Sequence, residues 1–267
     1  MTTRLTVLGV AQDGGLPHVG CDCSRCAAAR DGRRAVEKVA CLGLSDGLRH
    51  FLFDATPDLP AQLHALGPGE LSGIFLTHAH MGHYLGLAHL GREALDAQRV
   101  PLYVTPSMLA FLTANEPWNR LIDSGAVVPC SDPVVQLGDV SVRAIAVPHR
   151  GEFTDTVGYV ISGPSKRVLF IPDIDAWAPW ERDIAQEVAA VDVAYLDATF
   201  TSADELPGRD VSAIPHPLVT DSVQRLAGVA ERVRFIHLNH SNPLWDDAAW
   251  IEQLGFHVAR EGESFEL

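Results

Sequence analysis

Residues 73–83 read GIFLTHAHMGH. The apolar run GIFLT is typical of a buried strand, and it leads directly into His78, His80 and His83. Residues two apart on an extended segment point to the same side, so His78 and His80 can hold one metal ion. His83 follows a turn at Gly82 and is therefore offset towards a second ion. Three imidazoles within six residues after a predicted strand indicate a metal site.

Metal-binding side chains also follow other apolar runs of the sequence. Such runs end at Asp54 (after FLF), at His149 (after VSVRAIAVP), at Asp173 (after RVLFIP) and at His237 (after VRFI). Because a rigid sheet edge can present several strand ends to one place, we expect these side chains to share a site with the three histidines. Imidazole and carboxylate ligands together suit zinc, or iron or manganese where oxygen ligands dominate.

The chain has five cysteines, and three of them, Cys21, Cys23 and Cys26, lie within six residues. An odd count with one tight cluster does not suit a disulfide framework and indicates a metal site on a loop at about residues 14–30. Three neighbouring thiolates complete a tetrahedral structural zinc site only if a fourth ligand comes from elsewhere in the chain. Reduced, metal-binding cysteines are typical of a cytoplasmic protein.

The composition restricts the classes of partner. Among 267 residues, 20 Lys and Arg stand against 34 Asp and Glu, which gives a formal net charge of −14. Such an acidic chain is a poor candidate for binding nucleic-acid phosphates, but a bound metal can still attract a small anionic substrate. No apolar run reaches the roughly 18–20 residues of a membrane span, and the N-terminus lacks the regions of a signal peptide. We therefore expect a cytoplasmic protein with a small-molecule substrate, without nucleic-acid or membrane partners, and compatible with a homodimer.

Short β-type runs alternate with helical runs through the whole chain, with no linker that would divide it. Strands dominate without strict βαβ alternation, which favours a sandwich of sheets with outer helices over a doubly wound parallel sheet. We predict one α/β domain over residues 1–267. The pattern also predicts a helix over residues 85–97 and a closing hairpin of strands 256–259 and 264–267.

The order of the candidate ligands resembles the signature of the metallo-β-lactamase superfamily, which is H-x-H-x-D-H followed by a later His, an Asp and a final His. The matching positions are His78, His80, His83, His149, Asp173 and His237. The resemblance implies an αββα sandwich of two mostly antiparallel β-sheets flanked by helices. It also implies that His78, His80 and His149 hold one metal. His83 and His237 would hold a second, Asp173 would bridge the two, and Asp54 would orient a ligand histidine from behind.

One position departs from the signature, because Gly82 stands where the superfamily has an aspartate. In the superfamily that aspartate binds the second metal and helps to orient the attacking hydroxide. Its absence leaves His83, His237 and the bridging Asp173 for the second ion. We therefore expect one tight metal position and one weak or empty one. We also expect open space beside Gly82, in which an introduced carboxylate would strengthen the second site.

The segment from Gly14 to Cys26, GGLPHVGCDCSRC, resembles the opening of two groups within the superfamily. One is the coenzyme PQQ (pyrroloquinoline quinone) synthesis protein B group, which is also similar to DATPDLPAQL from Asp54, YLDAT from Tyr195 and IHLNHSNP from Ile236. The other is the cyclic-phosphate phosphodiesterases of phosphonate breakdown, which are closer in the histidine motif. In those enzymes a histidine three residues after the final active-site histidine completes the cysteine site. This implies one structural zinc here, held by Cys21, Cys23, Cys26 and His240.

The phosphodiesterases also carry an active-site histidine that is not a ligand, placed before their penultimate helix, and His216 lies at the matching place. That resemblance implies a proton donor or an anion binder. From the residues alone, His216 before Pro217 can equally be only a helix cap.

The superfamily resemblance implies a metal-dependent hydrolase in which a metal-activated water attacks an ester, amide or phosphodiester of a small molecule. Asp173 and His216 would handle protons, and the active site would hold one or two ions of zinc, iron or manganese. Two alternatives stay open. One is a cofactor-biosynthesis protein like PQQ synthesis protein B, with oxidative iron chemistry; the other is a non-catalytic metal-binding or carrier relative. The sequence does not identify the natural substrate.

Overall fold

Strands are the main elements of the computed structural model, which describes residues 2–206 and 214–267. The described residues form fourteen strands in two sheets of seven. In chain order they are β1 (Arg4–Gly9), β2 (Cys41–Ser45), β3 (Arg49–Phe53), β4 (Glu70–Phe75), β5 (Val100–Tyr103), β6 (Val127–Cys130), β7 (Val134–Leu137), β8 (Val140–Val147), β9 (Thr156–Ser162), β10 (Arg167–Ile171), β11 (Val193–Asp197), β12 (Val233–Ile236), β13 (His257–Val258) and β14 (Ser264–Glu266).

The two sheets have the same internal plan. The first runs β14-β1-β2-β3-β4-β5-β6 and the second β13-β12-β11-β10-β9-β8-β7. Each contains three antiparallel pairings and three parallel ones, so both are mixed rather than mostly antiparallel. The parallel halves arise because helical crossovers return the chain to the same end of the sheet before the next strand begins.

Helices cover the outer faces, and the predicted αββα sandwich is confirmed. They are α1 (Ser24–Arg30), α2 (Leu59–Ala65), α3 (Met81–Tyr84), α4 (Pro106–Ala114), α5 (Trp118–Asp123), α6 (Ile184–Ala189), α7 (Val219–Arg225) and α8 (Ala249–Glu252), with 3₁₀ helices at Leu85–Leu90, Ala227–Arg232 and Pro243–Trp245. Within residues 2–206 and 214–267, none of these helices has the length and apolar character needed to cross a membrane.

The main core lies between the sheets, because alternate side chains of each strand turn inward. Phe53 and Phe75 of the first sheet stack on each other and meet Tyr159 of the second sheet edge-on. Phe170 of β10 also contacts Phe53. A second apolar cluster packs the outer face of the first sheet against α2, α4 and α5.

Two predicted elements were wrong. Strands β13 and β14 do not form a hairpin, because β13 pairs with β12 and β14 pairs with β1 in the other sheet. The alternating pattern indicates a strand but not its partner. The helix expected over residues 85–97 is a 3₁₀ helix that ends at Leu90, and turns follow it. Strands β5 and β6 carried little sequence signal because each has four residues and contains a proline.

One end of the sandwich collects the candidate ligands. Strands β3, β4, β8, β10, β11 and β12 all end there, and the side chains that follow or end them are Asp54, His78, His149, Asp173, Asp197 and His237. The loop after β1, which contains Asp13, reaches the same end, because β1 runs in the same direction as β3. The fold therefore places residues from the whole length of the chain at one site.

Candidate metal centre

The first cluster at this end consists of three imidazoles around one carboxylate oxygen. The Oδ2 atom of Asp173 lies 3.3 Å from His78 Nε2, 3.8 Å from His80 Nδ1 and 3.2 Å from His149 Nε2. The two nitrogens His80 Nδ1 and His149 Nε2 are 3.0 Å apart. The structure therefore brings together the three histidines and the aspartate that the resemblance assigned to the first metal, and these atoms can share one ion. We call this cluster the first site.

The opposite nitrogen of each imidazole in the first site lies beside a neighbouring oxygen. His78 Nδ1 donates to Thr77 Oγ1 at 2.9 Å. The Nε2 atom of His80 bonds to Glu152 at 3.2 Å. The Nδ1 atom of His149 lies 2.8 Å from Asp175 but is too poorly aligned for a hydrogen bond. The two hydrogen bonds fix which nitrogen of His78 and of His80 faces the cluster. Neither carboxylate carried a motif, so sequence reasoning missed both.

The second cluster contains His83, His237 and a residue that the sequence interpretation did not consider, Asp13. The Oδ1 atom of Asp13 lies 3.2 Å from the Nε2 atoms of both histidines. Asp173 Oδ2 approaches His83 Nε2 at 3.8 Å, so the same carboxylate adjoins both clusters. We call Asp13, His83 and His237 the second site. Asp13 follows β1 just as the other ligands follow their strands, and that position was the only signal that could have identified it.

Gly82 is not surrounded by open space, and the expectation of a gap there was wrong. A Cβ atom built on Gly82 would lie 2.5 Å from the Cγ and Oδ1 atoms of Asp13 and 2.7 Å from its Cα atom. Real Cβ contacts are never so short. The volume in which the superfamily signature places an aspartate side chain is filled in this chain by Asp13.

Two aspartate–threonine pairs support ligand histidines in the same way. Asp54 accepts from the backbone N–H and the hydroxyl of Thr77, whose hydroxyl in turn accepts from His78. Asp197 accepts from both groups of Thr199, whose hydroxyl accepts from His237 Nδ1 at 2.9 Å. Asp54 also accepts from His83 Nδ1 at 2.7 Å, which is the orienting position that the resemblance implied for it.

His216 lies beside both clusters. Its Nδ1 atom is 2.8 Å from Asp197 Oδ2 and 3.4 Å from Asp173 Oδ1. Burial alone would lower the pKa of His216, but the charges of Asp197 and Asp173 raise it to about 9. The cap residue of α7 is Leu218, so His216 is not the helix cap that the sequence left as an alternative.

The two sites fit divalent cations in their donor atoms. His78 Nε2, His83 Nε2 and Asp173 Oδ1 are buried and make no hydrogen bond. Burial would raise the pKa of Asp173, but the charge of His216 and the neighbouring imidazoles hold it well below its usual range. Burial keeps the pKa of His78 well below its usual value. The sites therefore offer lone pairs and buried carboxylate charge, and such charge is stable only when it is paired or coordinates a metal.

The structure also brings His240 to the three clustered cysteines. The Nδ1 atom of His240 lies 3.6 Å from the Sγ atom of Cys21, 3.9 Å from that of Cys23 and 3.5 Å from that of Cys26. Zinc bonds of about 2.3 Å to sulfur and about 2.0 Å to nitrogen, at tetrahedral angles, place the two ligand atoms about 3.5 Å apart. The geometry therefore fits a Cys₃His zinc site.

The cysteine cluster adjoins the loop that carries Asp13. His18 donates its backbone N–H to Cys26 Sγ at 3.3 Å, and its ring lies 4.5 Å from the ring of His240. The same His18 ring covers Gly14, where a Cβ atom would approach it to 2.3 Å. Gly14 directly follows Asp13, so the two metal-binding regions share one short stretch of backbone.

A cavity of about 450 Å³ opens next to His216 and Asp175. Its described lining is largely apolar, with Trp177 and Phe200 as the large side chains, and besides His216 its charged members are Asp175, Asp221 and Arg225. Small-molecule sites are typically apolar clefts with a few placed polar groups, and this cavity has that character.

Comparisons with known proteins agree with the architecture. The family model described as the beta-lactamase superfamily domain matches residues 49–238. Coenzyme PQQ synthesis protein B of Ruegeria pomeroyi is 27% identical over 97% of this chain and 98% of its own, and that of Methylorubrum extorquens strain PA1 is 27% identical over 99% and 100%.

Two solved structures have the same fold over their full lengths. Zn(2+)-bound PqqB from Methylobacterium extorquens superposes with a TM-score of 0.83 at 24% identity, covering 99% of this chain and 100% of that one. A diphosphatase from the PhnP family superposes with a TM-score of 0.71 at 22% identity, covering 100% and 98%. At these identities the likeness to the structures concerns the fold alone.

Proposed function

The chain belongs to the beta-lactamase superfamily, and from this premise we propose that it is a metal-dependent hydrolase of a small-molecule ester, amide or phosphodiester. The observation that carries the proposal is the position of Asp173. Its carboxylate lies within 3.8 Å of His80 Nδ1 in the first site and of His83 Nε2 in the second. A carboxylate between two sets of imidazoles is suited to bridge two ions, which is an arrangement used for hydrolysis.

The residues of this chain would divide the work between binding and orientation. His78, His80 and His149 would hold the first ion, and Asp173 would bridge to the second site. A bound metal supplies a Lewis acid and an activated water whose pKa falls towards ~7. Glu152 keeps the ring of His80 oriented towards the first site by a hydrogen bond, and Asp175 lies beside the ring of His149.

His216 would handle a proton or an anionic group of the substrate. Its Nδ1 atom is held by Asp197, which leaves Nε2 as the nitrogen for contact with a substrate. His216 also lines the cavity described above, together with Arg225. We propose that the substrate is small, that its apolar part lies against Trp177 and Phe200, and that Arg225 attracts an anionic part.

Two kinds of relative support different branches of this proposal. The structural neighbour named as a diphosphatase shares this fold, which is compatible with hydrolysis at phosphorus and hence with the phosphodiester branch. The relatives named coenzyme PQQ synthesis protein B match over nearly the full length of both chains, and they support the second candidate, a role in cofactor biosynthesis. For that candidate we propose oxidative iron chemistry. A non-catalytic metal carrier is the third candidate. For all three candidates we propose that the protein acts in the cytoplasm.

Metal analysis and a substrate panel test the proposal together. Protein purified without added metal should contain one zinc at the cysteine cluster and one or two further transition metals at the histidine centre. It should hydrolyse at least one member of a panel of lactones, carboxylic esters, amides and linear and cyclic phosphodiesters. His80→Ala should abolish that activity while the cysteine zinc is retained.

The matched control is His64→Ala, which alters an exposed histidine of α2 and should leave activity unchanged. Iron as the only metal of the histidine centre, with oxygen consumed and no hydrolysis, would favour the biosynthetic candidate instead. Absence of any transition metal would contradict all three candidates.

A further inference from the structure

We infer that Asp13 is a metal ligand of the second site, and that it supplies from the loop after β1 the carboxylate that the superfamily signature places at position 82. The inference rests on the metal-dependent centre proposed above. It adds a ligand to the second site and makes that site a full metal position rather than a weak one.

The distances around Asp13 fit a shared ion. Its Oδ1 atom lies 3.2 Å from both His83 Nε2 and His237 Nε2. An oxygen and a nitrogen bound to one zinc at about 2.1 Å, with tetrahedral angles, lie about 3.4 Å apart. The approach to His83 is too poorly aligned to count as a hydrogen bond, since His83 Nε2 has no hydrogen-bond partner. An atom that is close but misaligned is expected where both partners point at a third atom between them.

Steric exclusion explains why Gly82 accompanies Asp13. A Cβ atom at position 82 would lie 2.5 Å from the Asp13 carboxylate, so the two positions cannot both carry an aspartate in this geometry. The glycine is therefore not simply a lost ligand. It makes room for a carboxylate that enters the same volume from another part of the chain.

The backbone around Asp13 is fixed to the segment that carries His237. Ala11 forms a parallel bridge with Leu238, and Gln12 donates its N–H to the carbonyl of Leu238 at 2.9 Å. Leu238 N–H donates to Val10. Asp13 and His237 are thus held in a fixed relation by main-chain bonds, which is what a rigid ligand pair requires.

Charge supports the same conclusion. With Asp173 included, the second site offers two carboxylates and two imidazoles, whereas the first offers three imidazoles and one carboxylate. The second site is the more oxygen-rich of the two and should accept manganese or iron more readily than the first.

Titration with Co²⁺ tests the inference without any substrate. Metal-free protein whose cysteine site has been reloaded with zinc is titrated, and bound cobalt is followed by its visible absorption. The parent should bind two Co²⁺ at the histidine centre. Asp13→Ala should bind one, with the affinity for the other lowered more than about 100-fold, because losing even an outer contact of a metal site costs 10–100-fold. Asp13→Asn, which keeps the size of the side chain, should give the same loss in smaller degree.

The matched control is Asp31→Ala, which removes a carboxylate whose side chain is 60% exposed and which lies away from the centre. It should bind two ions with parental affinity. Thermal unfolding of every variant reports whether it is folded, and Asp13→Asn serves if Asp13→Ala is not. Two ions bound with parental affinity by both Asp13 variants, or one ion bound by the parent, would overturn the inference. If the count falls from two to one but no form hydrolyses any substrate, Asp13 is a ligand and the proposed hydrolase function is wrong.

Discussion

Asp54 and His237 have φ angles of 71° and 65°, in the left-handed region that side-chain-bearing residues rarely adopt. Such a conformation costs about 1–3 kcal/mol per residue and persists only where the surroundings enforce it. At Asp54 the backbone N–H donates to Phe75 and the carboxylate accepts from Thr77 and His83. Backbone strain is therefore present at Asp54, which orients His83, and at His237, which belongs to the second site. Hydrogen bonds offset this strain.

The substitution Gly82→Asp tests whether the Asp13 side chain fills the space beside Gly82. The sequence alone suggested that it would strengthen the second site, but the structure reverses that expectation. The new Cβ atom would overlap Asp13, and overpacking of this kind costs about 1–3 kcal/mol. We expect a lower melting temperature and weaker binding of the second ion, measured by thermal unfolding and metal titration.

The matched control for this change is Gly228→Asp, because a Cβ atom at Gly228 meets nothing within 4 Å. The control should have parental metal affinities. If Gly82→Asp is as stable as the control and binds its second ion more tightly than the parent, then the Asp13 side chain does not occupy that volume in solution.

At the scale of elements, the loop from Val10 to Cys26 links the two metal-binding regions. Its beginning is bonded to Leu238, and its end meets His240 two residues later. The segment after β12 thus carries His237 at the second site and His240 at the cysteine site. The loop contacts this segment at both places. Loss of the zinc at the cysteine cluster should therefore alter the position of Asp13.

The substitution His240→Ala tests this link. Removal of the fourth ligand should strip the cysteine-bound zinc and lower the free energy of unfolding, because structural zinc binding is part of the folding energy. Since the loop loses its anchor, the affinity of the second site should also fall, whereas the first site keeps its ion. Elemental analysis, thermal unfolding and cobalt titration measure the three effects.

His80→Ala provides the comparison, since it should lose the first-site ion yet remain folded and keep the cysteine zinc. A His240→Ala protein with parental stability and a full complement of zinc would mean that the Cys₃His assignment is incorrect.

Sequence reasoning succeeded for elements whose signal is local. The strand before His78 lies within one short segment, so its pattern could be interpreted directly, whereas the turn expected at Gly82 is the short helix α3. The position of Asp13 could not, because it depends on a contact with His237 that spans 224 residues. The partners of β13 and β14 were missed for the same reason, since each pairs with a strand that its own residues do not specify. Glu152 and Asp175 act only through a histidine brought close by the fold.

At the scale of the whole molecule, the end of β14 links the two sheets. The strand pairs with β1 of the first sheet, while Leu267, which follows it, lies against Gly163 of the second sheet. Leu267 is 2% exposed, and its backbone N–H donates to the carbonyl of Thr3. A Cβ atom built on Gly163 would lie 2.4 Å from the Cβ atom of Leu267, so the two residues are in close contact. Gly163 directly follows β9. This contact closes one side of the sandwich.

The substitution Leu267→Ala tests that closure. Loss of a buried leucine side chain should lower the free energy of unfolding by about 2–3 kcal/mol, at the lower end of the range for buried leucines because the site is at the edge of the core. Metal content should not change, since neither Leu267 nor Gly163 belongs to a metal site. Urea unfolding and elemental analysis measure the two quantities. The exposed Leu254, which is 54% accessible, provides the control as Leu254→Ala. Equal stability of the two variants would show that Leu267 contributes little to the closure.

The bond between the loop after β1 and the segment after β12 also has a consequence for the order of events during synthesis. Cys26 leaves the ribosome more than 200 residues before His240, a delay of roughly 10–40 s at common elongation rates. Throughout that interval three thiols and Asp13 are present without the histidines that complete their sites. Neither the cysteine site nor the second site can hold its ion in final form until β12 has been made. Metal capture is thus a late event that coincides with the joining of the two halves of the fold, and the supply of metal at that moment should decide how much of the newly made protein matures.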